Sequence, residues 1–441
     1  MEASAKMYEK IELIAGLDIG TTKTSLIVAE RDRHTGEAQI IGVGSARSVG
    51  LRKGLIVNFE HVVKSIASSL EDAEGMTGIS VDRAFVCFSG ALTTSITSKG
   101  MISLGSTPRQ VVEADIQRVI EASLSEISMP NNYCTVHTIP IMYSIDGQRG
   151  IDDPLGMTGV RLEVEVQSIM SPTATVQNVI NCAERAGISV AGLIVKPLAS
   201  ALGVLTPGEI LSGVAVVDIG GGTTGISIYV DGALKKLSVI QIGGDHITND
   251  IARVLKIPIE AAEEIKKHVS LGEDVDAFDE EIEYAAQGKR GACNAGQVHE
   301  VVYNRLEELF EDFVKKELRD VGSILLPSGV VLTGGVAKTY GIAEMVSDVL
   351  GMPVRVAGPM ESQKMPPGRN GCEYASTAGI IKYVNILEKY PLKFIGPSIS
   401  FASAGQQIKT KARREKDESF HPFEAVKSAL SAIKRTFKEL F

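Results

Sequence analysis

Two aspartates, Asp18 and Asp218, stand 200 residues apart in nearly the same phrase, IAGLDIGTTKT over 14–24 and VAVVDIGGGTT over 214–224. Each phrase is an apolar run, an Asp, a Gly turn and then Thr. Backbone N–H groups of a glycine-rich turn can cradle phosphate oxygens, and threonine hydroxyls add donors. A carboxylate beside a phosphate is repelled unless a cation lies between them. Mg²⁺ suits that place, because it keeps several waters and takes one or two carboxylates together with substrate phosphates. Two such turns facing each other would clamp a phosphate chain, with Asp18 and Asp218 as the carboxylates behind a hydrated Mg²⁺. A third Gly turn, Gly334-Gly335, ends another apolar run.

The elements that must position these turns alternate along the chain. Residues 12–18 read as a strand, SLIVAE as a second and GEAQIIGVGSA as a third. A helix is predicted over 59–74, with Val62, Val63, Ile66, Leu70 and Ala73 on one face. Strands follow at 84–88 and 93–97, a helix over 108–126 and an alternating strand RLEVEVQSIM. A helix over 172–186, stopped at Gly187, leads into the strand VAGLIV. The second half repeats the theme. VAVVDIG, ISIYVDG and LSVIQIGG form three successive hairpin strands, a helical stretch covers roughly 245–320, VVLTGGVA is a buried strand and YASTAGIIKYVNILE a late helix. Strands alternating with helices predict an α/β fold.

Composition sets bounds. The chain has 441 residues, 44% of them hydrophobic, and a net charge of −9, which argues against a basic nucleic-acid surface. The five cysteines are odd in number, scattered and without a C-x-x-C pair, so reduced thiols in a cytosol are expected rather than disulfides or a zinc site. The seven histidines have no metal-ligand spacing. The N-terminus carries charges where a signal peptide needs an apolar core, and no apolar run reaches the roughly 18–20 residues of a spanning helix.

From about Ser400 the character changes. Residues 403–419 are polar with no apolar period, as in a flexible linker. In the segment that follows, Pro422 suits a first helical turn. At about 100° per residue, Phe423, Val426, Leu430, Ile433, Phe437, Leu440 and Phe441 share one sector. Lys427, Lys434, Arg435 and Lys438 flank it. Such a helix lies in a membrane interface with its basic side chains at anionic headgroups. One copy binds weakly, so stable attachment calls for several copies, which self-assembly supplies.

These motifs resemble the actin–Hsp70–sugar kinase superfamily. Asp18-Ile19-Gly20-Thr21-Thr22, with Lys23 beside it, looks like the first phosphate loop, and Asp218-Ile219-Gly220-Gly221-Gly222-Thr223 like the second. Thr333-Gly334-Gly335-Val336 resembles the adenosine motif, Glu263-Glu264-Ile265-Lys266 the helix whose Glu263 and Lys266 would touch ribose and adenine, and Gly243-Gly244-Asp245 the loop beside the phosphates. The resemblance implies an actin-like, ribonuclease H-like duplicated two-domain ATPase fold holding ATP with Mg²⁺. Lys196, in Val195-Lys196-Pro197-Leu198-Ala199-Ser200-Ala201, stands where a hydrolytic relative carries a water-orienting carboxylate. A cation is no such base, so weak or absent ATPase activity is expected.

Within the superfamily the chain resembles the FtsA family of bacterial cell-division proteins, over about 11–395 and again at the tail. The segment Asp153-Pro154-Leu155-Gly156-Met157-Thr158-Gly159 looks like that family's signature in its inserted module. The resemblance divides the chain into subdomain IA (1–82 and 167–196), an inserted IC (83–166), IIA (197–235 and 320–398), IIB (236–319), a linker (399–420) and a membrane-targeting amphipathic helix (421–441). It implies filaments of the protein on the cytoplasmic face of the membrane at the division site. Through IIB, with Arg305 and Glu308 as the contacting pair, they would hold the C-terminal peptide of the tubulin-like FtsZ, and later division proteins would join. A pilus- or secretion-platform relative and a small-molecule kinase are the competing readings. The first would favour a cytoplasmic docking partner over lipid, and the second needs a base in a substrate cleft that no residue here singles out.

Overall fold

The computed structural model describes residues 11–272, 280–286, 289–321 and 326–396. The described residues all fall within one compact unit. The linker at 399–420, the amphipathic segment 421–441 and its residues Phe423 to Phe441 lie outside the described residues.

The chain opens with three antiparallel strands, β1 (Ile11–Ile19), β2 (Lys23–Asp32) and β3 (Ala38–Arg47). Helix α1 (Phe59–Thr77) is capped at its start by the Asn58 side chain, which accepts from His61 N, and buries Val62, Ile66 and Ala73. Strand β4 (Arg83–Phe88) then returns parallel to β1. An excursion follows: β5 (Thr94–Ser103), α2 (Glu113–Ser125), β6 (Tyr133–Ile145), β7 (Gln148–Ile151) and β8 (Arg161–Pro172). Helix α3 (Thr173–Arg185) and β9 (Ser189–Val195) bring the chain back, β9 lying parallel to β4. The first sheet therefore runs β9-β4-β1-β2-β3.

Helix α4 (Lys196–Val204) and the short α5 (Pro207–Ser212) lead to a second copy of the same plan. Strands β10 (Val214–Ile219), β11 (Thr224–Val230) and β12 (Ala233–Ile240) are successive antiparallel neighbours. After α6 (Gly244–Leu255) and α7 (Ile259–Lys267) comes a hairpin of β13 (Glu281–Ala286) and β14 (Lys289–Asn294). Helix α8 (Ala295–Glu308) continues through a π turn at Leu309–Val314 into α9 (Lys315–Val321). Strand β15 (Val330–Thr333), helix α10 (Ile342–Leu350), strand β16 (Val354–Val356) and helix α11 (Ala375–Lys389) complete the described chain. β15 lies parallel to β10 and β16 parallel to β15. Each half thus has a central strand (β1, β10) with two antiparallel strands on one side and two parallel strands on the other. The duplicated phrase is the visible trace of a duplicated sheet. Both central strands are buried on both faces, which explains their continuous rather than alternating apolar runs.

Helices α4 and α11 cross in the main core, to which they contribute Leu198, Ala199, Ala375 and Ile380. The crossing is close enough that a methyl group on Gly203 would collide with the Ala375 carbonyl oxygen, and one on Gly379 with that of Ala199. Glycine is required at both positions by the approach of the facing backbone. A second core lies on the β10–β11 sheet, with Ile219, Ile226 and Phe310. A third, with Val119, Leu162 and Val166, belongs to the inserted module. The module's strands are covalently part of the first half, yet they extend the second sheet, which runs β7-β6-β8-β5-β12-β11-β10-β15-β16. The seam is a single paired position, Thr94 with Ser238, supported by Leu237 N donating to Ser95 Oγ at 2.8 Å.

Three stretches differ from the sequence expectation. The helix expected from 108 starts at Glu113, because Arg109 grips Asp115 at 2.6 and 2.7 Å and Asp115 caps Val112 N at 3.1 Å. The helical stretch 245–320 is broken by the β13–β14 hairpin, where Ile282 and Tyr284 point inward and Glu281 and Glu283 outward. Strand β6 was not anticipated, since Pro140 sits within it. That proline falls at a bulge, where Met142 and Pro140 are successive partners of Glu165 and Val166.

Candidate functional site

Asp18 and Asp218 occupy the same place in their sheets, one residue before the end of the central strand. Each turn closes alike: Gly20 N donates to Lys23 O at 3.0 Å, and Gly220 N to Thr223 O at 2.9 Å. The turns meet face to face. Gly221 lies against the Thr22 hydroxyl, and Gly222 lies against the Thr21 hydroxyl and the Lys53 backbone, so closely that no side chain fits between them. The two turns of the repeated phrase therefore face each other.

Both carboxylates are buried, Asp18 1% and Asp218 6% exposed, and each is held by a serine of one of the two crossing helices. Ser376 Oγ at the start of α11 donates to Asp18 Oδ2 at 2.7 Å, with Thr377 Oγ1 at 3.3 Å. Ser200 Oγ on α4 donates to Asp218 Oδ2 at 2.5 Å. The sequence reading missed these serines, although a signal was present. Ala199-Ser200-Ala201-Leu202-Gly203 and Ala375-Ser376-Thr377-Ala378-Gly379 are one phrase, Ala-Ser-x-x-Gly, written twice. Its serine straps an aspartate and its glycine forms the helix crossing three residues later.

Lys196, the first residue of α4, places Nζ 2.9 Å from Asp18 Oδ1. That oxygen has no aligned hydrogen-bond donor among the described residues, so the contact is an ion pair. Burial opposes the charge on Lys196, but Asp18 and Asp218 outweigh it and raise its pKa. Burial also raises the pKa of Asp218, with Lys196 and the Ser200 hydroxyl holding it back. Lys23 Nζ donates to Glu373 O at 2.8 Å and lies 3.0 Å over the Tyr374 ring. Burial lowers its pKa to about 7, Asp18 pulling upward and Lys196 downward.

The cleft between the turns holds about 420 Å³, the size of a small-molecule site. Gly20, Thr21, Thr22, Lys23, Asp218, Gly220, Gly221 and Thr223 line it, together with Gly244, Glu263, Lys266, Gly334, Gly335 and Val336. Among the other expected residues, Asp18 lies beneath the first turn, Gly222 at the contact between turns, and Gly243 against the carbonyls of Gly220 and Gly221. Lys266 Nζ bonds Glu263 Oε2 at 2.6 Å, Thr248 Oγ1 at 2.7 Å and Gly244 O at 3.2 Å, tying α6 to α7. Gly334 has φ +90° and faces the Asp218 carboxylate directly, so only glycine serves there. Arg305 and Glu308 do not line the cleft; on α8 they pair with each other, and Arg305 Nε meets Asp250 at 2.6 Å. Lys23, Lys196, Lys266, Lys267 and Lys338 line the cleft against Asp218, Glu263 and Glu373. A chain of net charge −9 thus presents a cation-rich cleft, which calls for an anionic ligand.

Mg²⁺ is a poorer match. The Asp18 oxygen not held by Ser376 is paired to an ammonium, and a divalent ion at that carboxylate would be repelled by Lys196. The residues present do not fit Mg²⁺ held by Asp18.

Comparison with known proteins gives a consistent result. The family model "Cell division protein FtsA" matches residues 215–379, and "SHS2 domain inserted in FTSA" matches 90–170. The chain is 38% identical over 376 residues to the cell division protein FtsA of Pseudomonas aeruginosa, covering 84% of this chain and 89% of the relative. For the Bacillus subtilis protein of that name the identity is 36%, over 84% of this chain and 83% of the relative. For that of Enterococcus faecalis it is 30%, over 98% and 99%. Among solved structures, the PilM-PilN type IV pilus biogenesis complex matches with a TM-score of 0.58 at 18% identity, over 84% of this chain and 98% of that chain. MreB5 of Spiroplasma citri bound to ADP matches at 0.51 and 15%, over 86% and 99%. At these identities the structures speak for an actin-like fold alone. Among the described residues no helix is long and apolar enough to cross a membrane.

Proposed function

The chain belongs to the FtsA family of cell-division proteins, and from that premise we propose that it is an ATP-dependent membrane adaptor of the division ring. ATP lies in the cation-rich cleft, with its phosphates against the touching turns at Gly20–Lys23 and Gly220–Thr223 and its adenosine toward Glu263, Lys266 and Gly334–Val336. The bound nucleotide closes the two halves of an actin-like protomer, and protomers assemble into filaments. The segment 421–441 holds them to the cytoplasmic membrane, while subdomain IIB, through Arg305 and Glu308, takes the C-terminal peptide of FtsZ and later division proteins are recruited. The subdomains implied by the resemblance go with this reading, except that strand β4 (Arg83–Phe88), counted there in the inserted module, belongs to the first sheet.

The observation that carries the nucleotide part is the contact between twin turns in a lysine-lined cleft. Lys196, paired to Asp18, leaves no carboxylate at the head of α4 to orient an attacking water. The reading is therefore ATP as a latch, with little or no turnover. The membrane part rests on the apolar sector Phe423 to Phe441 with its basic flank.

Co-sedimentation with anionic liposomes tests the anchor: full-length protein pellets and protein ending at Ser403 does not. Equal behaviour of the two would sink it. Electron microscopy with ATP on a lipid monolayer tests assembly and anchoring together. ATP turnover stimulated many-fold by a sugar would favour the kinase reading instead.

A further inference from the structure

The head of α4 brings a fixed cation to the first turn. Pro197 in the first turn fixes where Lys196 leaves the strand. From there the side chain, 18% exposed, runs under the first turn to Asp18. Its Nζ lies 3.1 Å from where a methyl group on Gly20 would stand, so the ammonium is packed against the turn that would carry phosphate. Asp18 spends its other oxygen on Ser376 and Thr377. An ammonium has three donors. The ammonium pairs with Asp18 Oδ1 at 2.9 Å, and Lys196 also lines the cleft. The arrangement is carboxylate, fixed cation, phosphate turn, in that order. It is the order a hydrated Mg²⁺ would impose, achieved with a covalently attached charge.

Resting on the nucleotide reading above, we infer that the Lys196 ammonium is a built-in cation between Asp18 and the phosphates, so that the cleft takes metal-free nucleoside triphosphate. The binding of nucleotide then needs no Mg²⁺, and a second cation beside Asp18 is disfavoured by repulsion. Loss of the Lys196 charge leaves Asp18 facing the phosphates bare, and an external divalent ion becomes necessary.

The test is an equilibrium titration of the full chain with N-methylanthraniloyl-ATP, in excess EDTA and in excess Mg²⁺, for the wild type and Lys196→Gln. The wild type is expected to bind with little difference between the two conditions. Lys196→Gln is expected to lose about tenfold or more in EDTA, the scale of a charge-assisted hydrogen bond, and to recover with Mg²⁺. Wild-type affinity that falls tenfold in EDTA overturns the inference and leaves the nucleotide reading intact. So does a folded Lys196→Gln protein that binds equally in both conditions. Absence of binding in both conditions removes the nucleotide reading and the inference together. A melting curve establishes that Lys196→Gln is folded; if it is not, the wild-type comparison alone decides.

Discussion

Ser200→Ala should cost more stability than Ser376→Ala, although the two serines occupy equivalent places in a duplicated design. Ser200 Oγ donates to Asp218 at 2.5 Å, and both residues are buried, at 0% and 6% exposure. Charge-assisted hydrogen bonds contribute about 1.5–3 kcal/mol, and a buried acceptor left bare forfeits its desolvation as well. Ser200→Ala is therefore expected to lose about 2 kcal/mol, or about 2–3 °C in Tm for a unit of this size. Asp18 is better provided, keeping the Lys196 ion pair at 2.9 Å and Thr377 at 3.3 Å after Ser376 is removed. Ser376→Ala should lose about 1 kcal/mol or less. The Ser200→Ala deficit should also depend on pH. Burial raises the pKa of Asp218, and the Ser200 hydroxyl is one of the groups holding it back. A carboxylate whose folded pKa lies above its unfolded value binds more protons folded than unfolded between the two, so stability falls as pH rises through that window. Removing Ser200 moves the upper edge of the window to higher pH. The deficit should thus be smallest at the acid end and grow toward neutrality. Urea titrations of both variants from acid to neutral pH make the comparison. Equal costs, or a Ser200→Ala deficit that shrinks as pH rises, would refute the reciprocal-strap reasoning.

Three further outcomes are expected. Gly379→Ala drives a methyl group into the Ala199 carbonyl, and should cost about 3 kcal/mol by overpacking and weaken nucleotide binding by displacing Ser376; unchanged unfolding and affinity would show that the crossing is slack. Lys23, with a pKa near 7, must be protonated to meet phosphate, so mant-ATP affinity should fall by up to about tenfold per pH unit above pH 7 as binding comes to require proton uptake. Lys23→Arg should flatten that slope, and a wild-type affinity constant from pH 7.5 to 9 would contradict it. Phe437→Glu should release the protein from anionic liposomes with its melting curve intact, since the change touches only the apolar sector; retained sedimentation would refute the lipid-facing assignment.

The turns were legible in the sequence because their chemistry is local: an apolar strand, an Asp and glycines suffice to announce a phosphate-sized turn. Their partners were not legible in the same way. Ser376 lies 358 residues from Asp18, and its role depends on two helices crossing. Lys196 was singled out for the carboxylate it replaces, yet its ion pair with Asp18 follows only from the packing of α4 beneath the first turn. Strand β6 was hidden by Pro140, which the bulge accommodates. The β13–β14 hairpin was hidden by acidic residues that read equally well as a helix face. The repeated Ala-Ser-x-x-Gly phrase is the trace that the two crossing helices leave in the sequence.

The seam between Thr94 and Ser238 has a mechanical meaning. The inserted strands are spliced into the backbone of one half but hydrogen-bonded to the sheet of the other. A rotation that opens or shuts the cleft cannot leave the module still with respect to both. It must carry the module with one half and strain its attachment to the other, so that a small angular change at the turns becomes a larger sweep at the far strand, Gln148–Ile151. A rotation about the α4–α11 crossing would move Gln148–Ile151, at the edge of that sheet, the farthest.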